Sequence, residues 1–158
     1  MVEVSVEPRP AFSIIGQKTF ITRHDQFATF WSASHENGVI GLLNEIRAEH
    51  GNPITQGTHI GLSCTEKDPT NRDFYFYVAV EYPNIENKYN HLETHNVLSF
   101  DWAIFSKNSR AISALIECEM YAFKEWLPSS GYKHAFGPEM EVYHEGEKIE
   151  FWLPVVSV

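Results

Sequence analysis

The sequence predicts an α+β fold: an antiparallel sheet with helices on one face, built as two strand-helix-hairpin repeats. Two observations predict it. The order strand, helix, hairpin occurs twice along the chain, and the closing strands superpose, 74–80 (Phe-Tyr-Phe-Tyr-Val-Ala-Val) on 149–155 (Ile-Glu-Phe-Trp-Leu-Pro-Val). Each alternates with the period of two that marks a strand. Phe74, Phe76, Val78 and Val80 share one face of the first copy, and Ile149, Phe151, Leu153 and Val155 share one face of the second. Those are the faces expected beneath helices.

The elements follow in order. A first strand is expected over 11–16, after Pro8 and Pro10. Phe27, Phe30, Trp31 and Ser34 recur at helical spacing, which predicts a helix over 26–37 stopped by Gly38. Ile40, Leu43 and Ile46 predict a second over 39–50, broken by Gly51-Asn52-Pro53. Strands over 59–65 and 74–82 then form a hairpin through 67–73, where Asp68-Pro69 and Asn71 supply turn chemistry. After a polar linker the pattern restarts with a strand over 97–105 and a long helix over 109–127 ended by Pro128 and Gly131. A second hairpin, 139–144 and 148–156, turns at Glu145-Gly146-Glu147. One domain spans 1–158, with repeat one at about 8–83 and repeat two at about 92–158.

Composition narrows the function. With 158 residues, 43% of them hydrophobic, the chain can build a core, which excludes a disordered tail. Lys and Arg number 12 against 21 Asp and Glu, a formal charge of −9, so no direct nucleic-acid partner is expected. Aromatic residues make up 14% and provide walls for small-molecule pockets; an acidic, aromatic chain suits cationic or flat apolar ligands. Cys64 and Cys118 form no CxxC and no apolar run approaches a membrane span, so the expectation is a cytoplasmic protein with no membrane partner. HExxH, GxSxG, GxGxxG and the P-loop are all missing, and no cofactor is expected. His91, Glu93 and His95 alternate onto one side of an extended segment, a spacing able to hold zinc. With no distant Cys or His partner identifiable from sequence, no metal is expected.

Alternation also suggests a site. Ile60, Leu62 and Cys64 match Met140 and Val142 as the inward sets of the partner strands, which leaves His59, Gly61, Ser63, Glu139, Glu141 and Tyr143 on the second face. Tyr75, Tyr77 and Trp152 belong to that second face too, and would gather with Tyr143 around Glu141. Gly61 superposes on Glu141, so one repeat leaves space where the other supplies charge. A carboxylate among aromatic rings is costly to desolvate unless it is paired, protonated or answered by a cation, which makes Glu141 the sharpest candidate.

Three runs carry a family resemblance: Glu125-Trp126-Leu127-Pro128-Ser129-Ser130-Gly131-Tyr132, Gly137-Pro138-Glu139-Met140-Glu141-Val142-Tyr143 and Phe151-Trp152-Leu153-Pro154-Val155. In order and spacing they resemble the helix end, central strand and closing strand of the GyrI-like (gyrase-inhibitor-like) effector-binding domain, the small-molecule sensor of many AraC-type and MerR-type regulators. The resemblance implies two βαββ units of SHS2-like type related by a pseudo-twofold axis, with a ligand cleft between them on the face that the helices leave free. It implies a stand-alone member that captures or senses bulky aromatic or cationic compounds at Glu141. The candidate ligand-binding set is Glu141, Trp152, Tyr143, Tyr75, Tyr77, Gly61, Ser63 and Trp102. Some members of the family are similar to hydrolases that open cyclopropane rings of genotoxic compounds, and in that alternative Glu141 is the catalytic base on water. A gyrase-inhibitor role is implied by the family's name alone. The chain departs from the family at Leu98-Ser99-Phe100, where Pro-small-Gly is usual, and around Lys107-Asn108-Ser109, where a Gly-Pro is usual.

Overall fold

The computed structural model describes residues 1–158. One sheet contains β1 (Glu3–Arg9), β2 (Phe12–Ile21), β3 (His59–Ser63), β4 (Phe74–Tyr82), β5 (Glu93–Val97), β6 (Phe100–Lys107), β7 (Tyr132–His134), β8 (Glu139–Tyr143) and β9 (Ile149–Ser157). The helices are α1 (Gln26–Glu36), α2 (Val39–His50) and α3 (Ile112–Tyr121); α3 continues through a π-helical turn at Ala122–Trp126 and a last α turn at Leu127–Ser129. None is long and apolar enough to cross a membrane.

All strand pairs are antiparallel. The main path is β1-β6-β9-β8-β3-β4-β2-β5, with β7 pairing β9. That order is a palindrome under exchange of the two βαββ repeats: β2, β3 and β4 take the places of β6, β8 and β9, and β1 and β5 each cross to the other repeat. The axis falls between β3 and β8 at the pair Gly61 and Glu141, midway between the pairs His59–Tyr143 and Ser63–Glu139. Gly61 and Glu141 are therefore equivalent positions, as expected, but the closing strands correct their expected match by two residues: Gly61 opposes Val78 and Glu141 opposes Phe151, so Val78 corresponds to Phe151 and not to Leu153.

The sheet is strongly curled. β5 runs into β6 through Leu98 and Ser99 alone, yet the two strands lie toward opposite ends of the path. Three residue steps reach only about 10–11 Å, so the ends must approach each other. The concave side encloses one apolar core, including Leu62, Tyr77, Trp102, Met140 and Trp152. On the convex side α1 and α2 cover Phe74, Phe76, Val78 and Val80. There α3 covers Phe105, Phe151 and Leu153.

The helix-covered faces of β4 and β9 are those expected, but β3 and β8 correct the reading of their own faces. Directly opposed residues of antiparallel neighbours share a face. Gly61 opposes Val78 and Glu141 opposes Phe151, so Gly61, Ser63, Glu139, Glu141 and Tyr143 lie on the helix-bearing side. Ile60, Leu62, Met140 and Val142 oppose Ala79, Tyr77, Trp152 and Glu150, and all face the concave side. Because both faces of the sheet are buried, the more apolar set of a strand does not mark the helix side. β1, β5 and β7 are additional to the elements expected; β1 and β5 are mostly exposed edge strands whose pattern lacks a buried face.

Candidate functional site

β3 and β8 run down the middle of the sheet, with α1 on one flank and α3 on the other, so the pseudo-twofold position lies in a groove between helices. Glu141 occupies it. Its side chain lies over Gly61, where an added Cβ would stand 2.4 Å from Oε1 and 2.5 Å from Cγ, so only glycine leaves the room. Trp31 of α1 donates its indole N–H to Glu141 Oε1 at 2.9 Å. The same indole packs edge-on against Tyr143, centroids 5.1 Å apart. Burial pushes the Glu141 carboxyl up to about 7, against the opposing pull of the Trp31 N–H and the Tyr143 hydroxyl.

Two recesses meet at this carboxylate. One, of about 570 Å³, opens between the start of α1 and the second half of α3 and is walled by Phe27, Phe74, Phe123 and Phe151. The other, of about 550 Å³, lies on the far side of Trp31 and is bounded by His35, Ile112 and Tyr143. Phe27 and Glu141 line both. Each volume falls within the roughly 300–1,000 Å³ typical of small-molecule sites. Met120 and Phe123 stand exposed on the α3 wall, apolar surface that a ligand would cover.

Three glutamates share the groove and are not alike. Glu139 is buried but answered: Arg72 donates two bonds to it, at 3.2 and 2.9 Å, and His134 Nε2 lies 3.0 Å away. Burial acts to raise its pKa, and His134 and Arg72 outweigh burial and hold it below the ordinary value. Glu119, from α3, gains no such pair. Burial, then the neighbouring Glu141 and Glu139 charges, push it up to about 8, with Arg72 pulling back.

Glu119 yields a stability prediction. Its folded pKa lies above the ordinary value of 4.5, so the unfolded chain ionises first and folding becomes less favourable as pH climbs from 4.5 toward 8. Glu119→Gln removes that penalty. Calorimetry should show a Tm gain of about 3–6 °C near pH 8.5 and almost none near pH 4; equal gains at both would refute the assignment.

Of the residues expected at the site, Glu141, Tyr143, Gly61 and Ser63 come together here. Trp152, Trp102 and Tyr77, at 2%, 0% and 5% exposure, are buried in the concave core across the sheet from Glu141. Tyr75 is on that far face too, but at the surface, edge-on to Phe20 at 5.0 Å with Lys18 Nζ 4.7 Å from its ring centroid. The register of β3 and β8 against β4 and β9 separates the two groups. Sequence reasoning missed Trp31, Phe27, Arg72, Phe123 and Glu119 as site residues. Glu119 left a signal: it stands four residues after Leu115 and four before Phe123, a carboxylate set into the apolar stripe of its helix.

Comparison with known proteins adds a family and a fold. The family model Cass2, integron-associated effector binding protein, matches residues 5–155. Among solved structures, SAV2435 bound to tetraphenylphosphonium superposes with a TM-score of 0.78 at 17% identity, covering 98% of this chain and 94% of that one. An integron cassette protein of Vibrio cholerae gives 0.65 at 15% identity, covering 97% and 95%. The C-terminal domain of EcmrR gives 0.63 at 10% identity, covering 100% and 99%. No curated protein matches the chain in sequence.

Proposed function

The chain belongs to the Cass2 family of integron-associated effector-binding proteins, and from that premise we propose that it binds bulky aromatic cations in the groove around Glu141. One observation carries the reading: a carboxylate seated on a glycine floor among aromatic walls, answered by two neutral donors, the Trp31 indole N–H and the Tyr143 hydroxyl. Such a group leaves a charge without a counter-charge, and a cation restores it. A weakly hydrated cation whose charge is shielded by aryl groups loses little on leaving water, and its rings bury against Phe27, Phe123 and Trp31. The tetraphenylphosphonium held by SAV2435 is a compound of this class and supports the reading.

The test is a calorimetric titration with tetraphenylphosphonium and with the neutral triphenylphosphine oxide. At pH 7, near the value to which burial pushes Glu141, Glu141→Gln should weaken the cation about 20-fold and leave the neutral compound nearly unchanged. Equal losses for both compounds, or none, would overturn the reading. The hydrolase alternative uses the same residue, because a carboxyl titrating near neutrality is suited to act as general base on water. Its signature is a water adduct of a cyclopropane electrophile, seen by mass spectrometry with the wild type and not with Glu141→Gln.

A further inference from the structure

We propose that Cys64, Glu66 and His95 form a site for a divalent transition-metal ion, zinc above all, separate from the Glu141 groove. One ligand atom from each residue lies within 4.8 Å of the other two. His95 Nε2 is 3.0 Å from Glu66 Oε2 and 4.0 Å from Cys64 Sγ. Around tetrahedral zinc with bonds of about 2.0–2.3 Å, neighbouring ligand atoms stand about 3.3–3.7 Å apart. The two measured pairs bracket that spacing, and rotation of the Glu66 side chain closes the third.

The donors come from well-held backbone. Cys64 directly follows β3, and its N–H still donates to Tyr75 O at 2.9 Å. Thr65 is buried and donates its hydroxyl to Gly137 O at 2.9 Å, fixing the turn that carries Glu66. His95 lies in β5 opposite Ile14 of β2. A second observation points to a cation: Glu66 Oε1 is buried without a hydrogen-bond partner. Buried polar atoms are rarely left so, and a metal ion would answer it.

Charge and donor type agree. A Cys64 thiolate and the Glu66 carboxylate supply two negative charges to a doubly charged ion, the thiol proton leaving to solvent. Without a metal, burial and then the Glu66 charge push the Cys64 thiol up, with Lys18 pulling back, so the ion itself must displace the proton; Lys18 is tied to Glu93 at 3.0 Å. Sulfur, imidazole and carboxylate together suit zinc or cobalt, whereas magnesium and calcium take oxygen alone. Three protein ligands leave a fourth position for water or another ligand. Of the run His91, Glu93, His95, only His95 takes part, because Glu93 holds Lys18 and His91 is exposed.

The reduced full chain would be titrated with Co²⁺ and then Zn²⁺. The expected result is one ion per chain, a thiolate-to-cobalt charge-transfer band with four-coordinate d–d bands, and displacement by zinc. Cys64→Ser should abolish the charge-transfer band, Glu66→Gln and His95→Gln should each weaken zinc about tenfold or more, and Cys118→Ala should change nothing. Circular dichroism checks that each variant folds. In the wild type, bound zinc should also protect Cys64 from a maleimide, a reading that needs no variant. A missing thiolate band, a band that survives Cys64→Ser, or equal maleimide rates with and without zinc would overturn the proposal.

Discussion

Replacing Gly61 by alanine is expected to weaken tetraphenylphosphonium about 50-fold at pH 7 while the protein stays folded. The new Cβ would stand 2.4 Å from Glu141 Oε1, 2.5 Å from Cγ and 2.7 Å from Cδ, and its three nearest atoms are all in that one side chain. The backbone of β3 therefore keeps its place and Glu141 swings away. Two things follow from that swing. The Trp31 N–H loses its acceptor, and a charged carboxylate enters the volume that aryl rings would fill. Glu141→Gln does neither, since the amide oxygen still fits over the glycine and still accepts from Trp31, which is why Gly61→Ala has the larger effect. The loss corresponds to about 2.3 kcal/mol, within the range for a hydrogen bond to a charged group. Titration calorimetry measures it, and a Tm within a few degrees of the wild type shows that the fold survives. Wild-type affinity in Gly61→Ala would mean that the glycine floor does not position the carboxylate.

That Gly61 matches Glu141 was legible in the alternation of the two short strands, whereas the match of 74–80 to 149–155 is two residues out: Gly61 opposes Val78 and Glu141 opposes Phe151, so Val78 answers Phe151 and not Leu153. The common face of Gly61 and Glu141 was not legible. The side on which a residue points depends on its partner across the ladder, and register is set by turns and loops as much as by alternation. Ile60 and Leu62 alternate with His59, Gly61 and Ser63 as if only one face were buried, whereas the concave core and the helix layer bury both. Trp31 was hidden for a different reason: a tryptophan on the apolar stripe of a helix reads as core until something shows that its N–H meets a carboxylate. The Cys64, Glu66 and His95 cluster depends on the curl. β3 and β5 are three strand spacings apart along the sheet, about 14 Å if it were flat. Cys64 Sγ and His95 Nε2 nevertheless meet at 4.0 Å. No linear pattern carries that information, and β5 itself, Glu-Thr-His-Asn-Val, has no apolar alternation to announce it.

Cation binding at the groove is expected to strengthen about 30-fold between pH 5 and pH 8. The sign follows from which form binds. Burial pushes Glu141 up to about 7, and the cation pairs with the ionised carboxylate. About 1% of Glu141 is ionised at pH 5 and about 90% at pH 8. If ionised Glu141 holds the cation about 50 times more tightly than the protonated form, the protonated form sets a floor and the net rise is about 30-fold. Glu119, pushed up to about 8, adds a shallower rise above neutrality, whereas Glu139, held low by His134 and Arg72, contributes no slope in that range. Binding must then expel protons: near pH 7 about half a proton per cation leaves Glu141, which calorimetry in buffers of different ionisation enthalpy reads directly. Glu141→Gln should keep only the Glu119 slope, and the double change Glu141→Gln with Glu119→Gln should be flat. A wild-type affinity that is level from pH 5 to 8, or that falls as pH rises, would place the charge that holds the cation somewhere other than Glu141.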